Sequence, residues 1–248
     1  MRTRTSALIL SCLLVPVFAC VAQAQTADEL VNKHLAAMGG RDALAKITTR
    51  KATGTVTLIT AMGNLPGTIE ILSKTPNKAH TLLQIDLSAV GGPPLRIEQF
   101  FDGAAGFVMD SMRGNSEMPA RQAENARNNA FPSMLLTYKE KGVALEVLPK
   151  STINGREAVG LKATPKGGSP IQIFFDAETY VLLRSTVLID TPDGATVEQT
   201  SDSSDFRTVD GVKVAFQVVN KNPLQTVTIK LDKVEHNVPL DDALFAKK

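Results

Sequence analysis

The first side chains to weigh for chemistry are the three histidines, His34, His80 and His236. A metal site needs several imidazole or carboxylate ligands converging on one ion, and a His-x-x-x-His or His-Glu pair is its usual local sign. No such pair occurs: His34 borders a helical stretch, His80 begins a strand and His236 follows the last one, so all three read as solvated or internally satisfied. A serine nucleophile on a Gly-x-Ser-x-Gly elbow is absent, and Ser201, Ser203 and Ser204 lie in an acidic strand-edge stretch far from any histidine. Carboxylates pair at Asp202 with Asp205, at Asp241-Asp242 and at Asp176 with Glu178. Glycosidase chemistry would need two of them about 5–10 Å apart across a cleft, and a chain with no tryptophan and two tyrosines has little to stack on a sugar. Gly91-Gly92-Pro93-Pro94 and Gly167-Gly168 do not lead from a strand into a helix with Lys-Ser/Thr, so they read as loops and not as phosphate cradles. A hydrolase assembled from distant residues stays open as a second alternative; the leading expectation is a non-catalytic protein without metal or cofactor.

Composition narrows the classes further. Arg2 and Arg4 precede an apolar stretch from Ala7 to Val21 that Pro16 interrupts, and Ala22-Gln23-Ala24 supplies the small residues of a cleavage site. Residues 1–24 therefore read as a signal peptide, with 25–248 as one exported, periplasmic domain. A competing reading takes Val17-Phe18-Ala19-Cys20 as a lipobox that would leave the protein lipid-anchored at Cys20. Cleavage after Ala24 removes both cysteines, Cys12 and Cys20, so a mature chain would hold no disulfide, cysteine nucleophile or thiolate-bound metal. It also removes Arg2 and Arg4, leaving the basic residues equal in number to the 25 acidic ones. A neutral chain lacks the cationic field that nucleic acid demands.

The elements that would position any site are mostly strands. Thr26 and Glu29 form a capping-box pattern ahead of Ala27, Leu30, Val31, Leu35 and Met38, which share one helical face until Gly39-Gly40. A second short helix, capped by Asp42, is expected to about Ile47. The period then changes to two, and five strands follow: Gly54 to Met62, Gly67 to Ser73, Ala79 to Leu87, Leu95 to Phe101 and Gly106 to Asp110. Alanines at helical spacing across Asn115 to Tyr138 predict one or two helices broken at Pro132. Seven more strands run from Ala144 to Val234, before a short capped turn at Asp241-Asp242-Ala243-Leu244-Phe245. Asn154-Gly155, Asp193-Gly194 and Asp210-Gly211 are hairpin signals, because both central residues of a type I′ turn need φ > 0. About a dozen strands are expected in one antiparallel sheet.

Strand parity places Ile69 with Ile71, Leu83 with Ile85 and Leu87, and Phe107 with Met109 on shared faces. Two modest helices cover such a face incompletely, and a gap would be a pocket for acyl chains. The candidate lining is those seven residues with Met118, Phe131, Met134 and Leu135 from the inserted segment, thioethers being adaptable apolar surface.

Ala37-Met38-Gly39-Gly40-Arg41-Asp42-Ala43-Leu44, Ile153-Asn154-Gly155-Arg156, Phe174-Phe175-Asp176-Ala177-Glu178-Thr179, Asp210-Gly211-Val212-Lys213 and Asp241-Asp242-Ala243-Leu244-Phe245, taken in order, resemble the outer-membrane lipoprotein-sorting and carrier proteins of the LolA/LolB-like superfamily. The resemblance implies a mainly β fold with a few helices, one large antiparallel sheet curved into an unclosed half-barrel whose concave face the helices cover. It implies a monomeric periplasmic carrier of lipid or acylated lipoprotein acyl chains, without cofactor. The alternative on the same fold is an envelope sensor or interaction module whose partner is another cell-envelope protein.

Overall fold

A computed structural model of the chain describes residues 25–61, 63–166, 168–191 and 194–247. The expected signal peptide with Cys12 and Cys20, and the cleavage expected after Ala24, lie outside them, as do Met62, Gly167 and Asp193 of the second hairpin pair. Among the described residues three α-helices, α1 (Ala27–Ala37), α2 (Arg41–Ala45) and α3 (Ala120–Asn128), accompany thirteen strands. The strands before α3 are β1 (Thr49–Thr60), β2 (Gly63–Lys74), β3 (Lys78–Ile85), β4 (Leu95–Phe101), β5 (Gly106–Asp110) and β6 (Gly114–Glu117). Those after it are β7 (Ala144–Ile153), β8 (Arg156–Thr164), β9 (Ile171–Asp176), β10 (Leu182–Asp190), β11 (Thr196–Val209), β12 (Val212–Asn222) and β13 (Gln225–His236).

All thirteen form one antiparallel sheet that does not close, in the order β6-β5-β4-β3-β2-β1-β13-β12-β11-β10-β9-β8-β7. The first and last strands meet in the middle, where Ala52 faces Val234 and Val56 faces Ile229. Strands adjacent in sequence pair as simple hairpins on either side of that seam. The two edges are therefore β6 and β7, consecutive in the chain, and the segment joining them has to traverse the sheet from one side to the other. It does so across the concave face, carrying α3 and a 3-10 turn at Met134–Leu136.

Local chemistry explains the joints. Thr26 Oγ1 accepts from the Glu29 N–H while Glu29 takes the Thr26 N–H, closing the expected capping box of α1. Asn154-Gly155 has φ of 51° and 80° between β7 and β8, and Asp210-Gly211 has 49° and 81° between β11 and β12. Both pairs sit in the left-handed region that type I′ turns require.

Four expectations need correction. The Asn115–Tyr138 segment is not continuous helix: Gly114–Glu117 pairs with β5 as an edge strand, and helix is confined to Ala120–Asn128 before the short turn at Met134. Helix α2 starts one residue earlier than expected and its N-cap is Gly40, with no side-chain cap from Asp42. β1 begins at Thr49, five residues before Gly54. Pro66 lies within β2 and not ahead of it, tolerated because β3 pairing stops at Gly67; the Pro66 carbonyl accepts from the Asp86 N–H at 2.8 Å.

The main core lies between the helices and the concave face. Leu30, Val31 and Leu35 of α1 are buried to within 2 % of complete burial and pack with Leu161, Ala163, Ile173 and Phe175 of the sheet. No helix among the described residues is long and apolar enough to cross a membrane.

Candidate binding site on the concave face

Register defines the helix-covered face strand by strand. Ala52 of β1 stands across from Ile71 of β2 and Val234 of β13. Further out, Ile71 faces Thr81, Thr81 faces Gln99, and Ala79 faces Phe101. On the other wing Ser185 faces Ile173, which faces Leu161. The crossing segment is pinned above this surface by polar contacts at several points. Phe131 N–H donates to the Pro76 carbonyl at 2.8 Å, Asn125 Nδ2 to the Leu188 carbonyl at 3.0 Å, and Arg121 Nε to Asp190 Oδ1 at 2.9 Å. Near its end Tyr138 donates to Asp28 of α1 and Arg41 of α2 donates to the Leu136 carbonyl.

Between these pins the segment does not fill the space. One cavity of about 400 Å³ lies under α1 and α2, walled by Met38, Leu44, Ile47, Ala52, Ile71, Phe131, Val214, Val218, Ile229 and Leu231 among others. A second of about 510 Å³ lies under α3, walled by Thr81, Phe101, Met118, Ala126, Met134, Leu135, Ile173, Val187 and Ile189 among others. Each falls in the range of about 300–1,000 Å³ usual for small-molecule sites. His34, Pro132, Ser133 and Leu182 line both, so the cavities adjoin across a thin partition made of one residue of α1, the middle of the crossing segment and the start of β10.

The two differ in charge. Among the described residues the wall under α3 carries no carboxylate, lysine or arginine; apart from the shared His34 its polar groups are amides and hydroxyls such as Gln99, Gln122, Asn129 and Gln199. Among the described residues the wall under α1 and α2 carries Arg50, His34 and His236, and no carboxylate. Arg50 projects from β1 on the same parity as Ala52, and its guanidinium lies 5.1 Å from the centre of the Phe131 ring. Burial pushes its pKa down, yet an arginine stays charged. The surface it retains faces the cavity, and no carboxylate among the described residues pairs with it.

His236 sits directly across from Arg50 on β13. Burial and then the neighbouring Arg50 charge hold its pKa low, against a weaker pull from Asp210, whose Oδ2 is 3.3 Å from Nδ1. His34 is buried beneath the Phe175 ring, at 4.5 Å between centroids, and its Nδ1 is 2.9 Å from the Tyr180 carbonyl. A carbonyl can only accept, so Nδ1 carries the proton; burial keeps the ring neutral to lower pH than usual and that hydrogen bond partly offsets the effect. His80 lies on the opposite face, stacked on Phe100 at 4.4 Å and 3.2 Å from Glu98 Oε2, while Arg96 holds Glu98 Oε1 at 2.6 Å. No three metal-ligating side chains converge among the described residues.

The residues selected from sequence divide among several places. Ile71 and Phe131 line the first cavity, and Met118, Met134 and Leu135 the second. Ile69 is buried on the same face beside neither cavity. Leu83, Ile85 and Leu87 join Val56 and Leu65 in a separate apolar cluster further along the strands. Phe107 and Met109 point to the convex face, because their β5 neighbours Gly106 and Val108 are the ones that face Phe101 and Gln99; the Lys247 ammonium lies 4.5 Å from the Phe107 ring centre. Arg50 and Leu182 are not among the candidates, and His34 and His236, which the sequence offers as solvated or internally satisfied, line the first cavity. For Arg50 a signal existed: it is a cation in step with Ala52 and Val56 on an apolar parity.

No protein-family model and no curated protein matches the sequence. Solved structures do match it in fold. A putative outer membrane lipoprotein-sorting protein domain from Vibrio parahaemolyticus is 13% identical with a TM-score of 0.54, over 88% of this chain and 95% of that one. A DUF1329 family protein from Desulfovibrio piger is 13% identical with a TM-score of 0.55, over the same shares. A LolA superfamily protein from Nitrosomonas europaea is 12% identical with a TM-score of 0.56, over 90% of this chain and 99% of that one. At such identities the likeness is one of fold alone, and the fold is LolA-like.

Proposed function

We propose that this chain binds and carries a lipid or an acylated lipoprotein in the periplasm, without transforming it, after export directed by residues 1–24. The observation that carries the reading is the pair of adjoining, mainly apolar cavities under the crossing segment. A close-packed domain leaves few voids larger than a water molecule, so spaces of about 400 and 510 Å³ on one face have to be held open by the architecture. The sheet order provides that architecture: a strap spans the concave face and is fastened at its ends and edges, leaving room beneath it. Each methylene withdrawn from water into such a space contributes about 0.8 kcal/mol. A chain of ten buried carbons would therefore gain roughly 8 kcal/mol before the costs of association. The fold-level likeness to a lipoprotein-sorting domain supports the same reading.

The test is native mass spectrometry of protein purified from its own envelope, paired with uptake of an uncharged fluorescent apolar probe by delipidated protein. Co-purified acyl-bearing species and saturable probe uptake are expected. Protein that emerges ligand-free and takes up no probe would refute the carrier reading.

A further inference from the structure

We propose that the ligand is an amphiphile with an anionic head group, and that Arg50 binds that head inside the cavity under α1 and α2. The inference rests on the acyl-binding reading and adds to it the charge of the head and the direction in which the ligand lies. A guanidinium withdrawn from bulk water carries a desolvation cost that a partner anion normally offsets. Arg50 is partly buried without an anion: burial lowers its pKa, no carboxylate of the described residues pairs with it, and its guanidinium lies 5.1 Å from the centre of the Phe131 ring. That ring covers one side of the guanidinium and leaves its five donors in a fork suited to a carboxylate or phosphate.

The surroundings point the same way. Among the described residues the wall of this cavity holds no acidic residue, and Arg50 is a permanent cation on it; Lys213 borders it from the strand parity opposite to the buried Val212 and Val214, and the Asp210 carboxylate lies against His236 Nδ1, at 3.3 Å. His236, opposite Arg50 across the strand pair, adds an imidazole beside it. Beyond the partition at Pro132 and Ser133 the second cavity carries no carboxylate, lysine or arginine among the described residues. One end is thus built for an anion and the other for hydrocarbon and amide-compatible atoms. An amphiphile with its head on Arg50 and its chain passing beneath the crossing segment satisfies both. A neutral ester or amide head would leave the guanidinium uncompensated.

The test compares palmitate, palmitoyl lysophosphatidate and hexadecanol as competitors for an uncharged fluorescent probe, N-phenyl-1-naphthylamine, on delipidated wild-type protein and on Arg50→Gln and Arg50→Lys. Measurements are made at pH 8, below the concentrations at which each amphiphile aggregates. One or both anions are expected to bind about 10- to 100-fold more tightly than the alcohol, the worth of charge-assisted hydrogen bonds. The ratio of palmitate to lysophosphatidate tells which head the site takes. Arg50→Gln should abolish the preference while leaving hexadecanol binding intact, and Arg50→Lys should retain part of it. Arg50→Gln should also melt no lower than wild type, since it removes an unpaired buried charge; a purely structural arginine would lower the melting temperature. Equal wild-type affinity for the alcohol and both anions, or an anion preference that survives in Arg50→Gln, overturns the anion site while leaving the carrier reading standing. Failure of probe and hexadecanol to bind at all strikes the carrier reading instead, and the anion site with it. The wild-type comparison needs no variant, so a misfolded Arg50→Gln does not remove the test.

Discussion

Replacing Asp176 with alanine is expected to loosen the turn between β9 and β10 and, through it, the seat of α1 above the cavities. The Asp176 carboxylate is 3% exposed and accepts from Thr179 N–H and Thr179 Oγ1, both at 2.7 Å, and from Glu178 N–H at 3.2 Å, while Arg156 Nη2 lies 2.7 Å from its other oxygen. Those bonds hold the chain into Tyr180, which takes a φ of 56° and offers its carbonyl to His34. Alanine would leave the turn's donors and a half-exposed arginine without their anion; one unsatisfied buried donor costs about 1–3 kcal/mol, so losing several at once should cost about 3–5 kcal/mol. For a domain of this length that is roughly 6–20 °C in Tm. Asp176→Asn keeps an acceptor oxygen for the turn and should lose less, about 1–3 kcal/mol. Burial pushes the Asp176 carboxyl up, but the hydrogen bonds from Thr179 and the Arg156 charge outweigh it and hold the group below the usual carboxylate range. A depressed folded pKa means that the stabilisation is complete above the unfolded value of about 3.9. It is lost as pH falls from there through the folded value, so Asp176→Asn should show a shallower acid limb than wild type. Thermal and urea unfolding followed by circular dichroism would measure both effects. A loss below about 1 kcal/mol in Asp176→Ala, or an unchanged acid limb in Asp176→Asn, would refute the reasoning.

Three further outcomes are expected. Gly39→Ala should cost about 1–3 kcal/mol in urea unfolding, since φ is 120° there and a Cβ would lie 2.4 Å from the Gly211 carbonyl oxygen; a neutral result would mean that α1 and the β11–β12 hairpin are not held in this contact. Ser133→Trp fills the partition between the cavities, so it should weaken binding of sixteen-carbon chains at least about tenfold while sparing eight-carbon ones, as read by probe displacement; equal effects on both lengths would argue against a chain that crosses the partition. Lowering the pH from about 7 to about 5 should destabilise the protein, because burial depresses His34 and His236 and their stabilisation is complete only above the unfolded histidine value of about 6.5. His34→Gln should lose less stability over that window, and an identical loss in wild type and variant would contradict the assignment.

What the sequence made legible was local. Thr26 with Glu29, Asn154-Gly155 and Asp210-Gly211 each announce a joint because the geometry needs those side chains at adjacent or near-adjacent positions. Strand parity was equally readable: Ile69 and Ile71 do share the concave face. Parity cannot say which of two faces a helix will cover, and Phe107 and Met109 turned outward for that reason. Gly114–Glu117 escaped notice because a four-residue exposed edge strand has no apolar alternation, and the alanines after it extended the helical pattern backward.

Arg50 escaped for a deeper reason, which also explains why the site is where it is. In isolation Thr48-Thr49-Arg50-Lys51 is a polar run at the start of a strand. What buries Arg50 comes from far along the chain: Phe131 from the crossing segment and His236 from the final strand. Both approaches follow from one fact of topology, the pairing of β1 with β13, which brings the last strand to the first and sends the two mid-chain strands to opposite edges. Once those edges are apart, the chain between them has to cross the concave face. A crossing tethered at intervals covers that face without filling it, so the pairing that encloses Arg50 also leaves the space it faces. The buried cation and the cavity are in this sense a single consequence of the sheet order, and substitutions that disturb the central seam should affect both together.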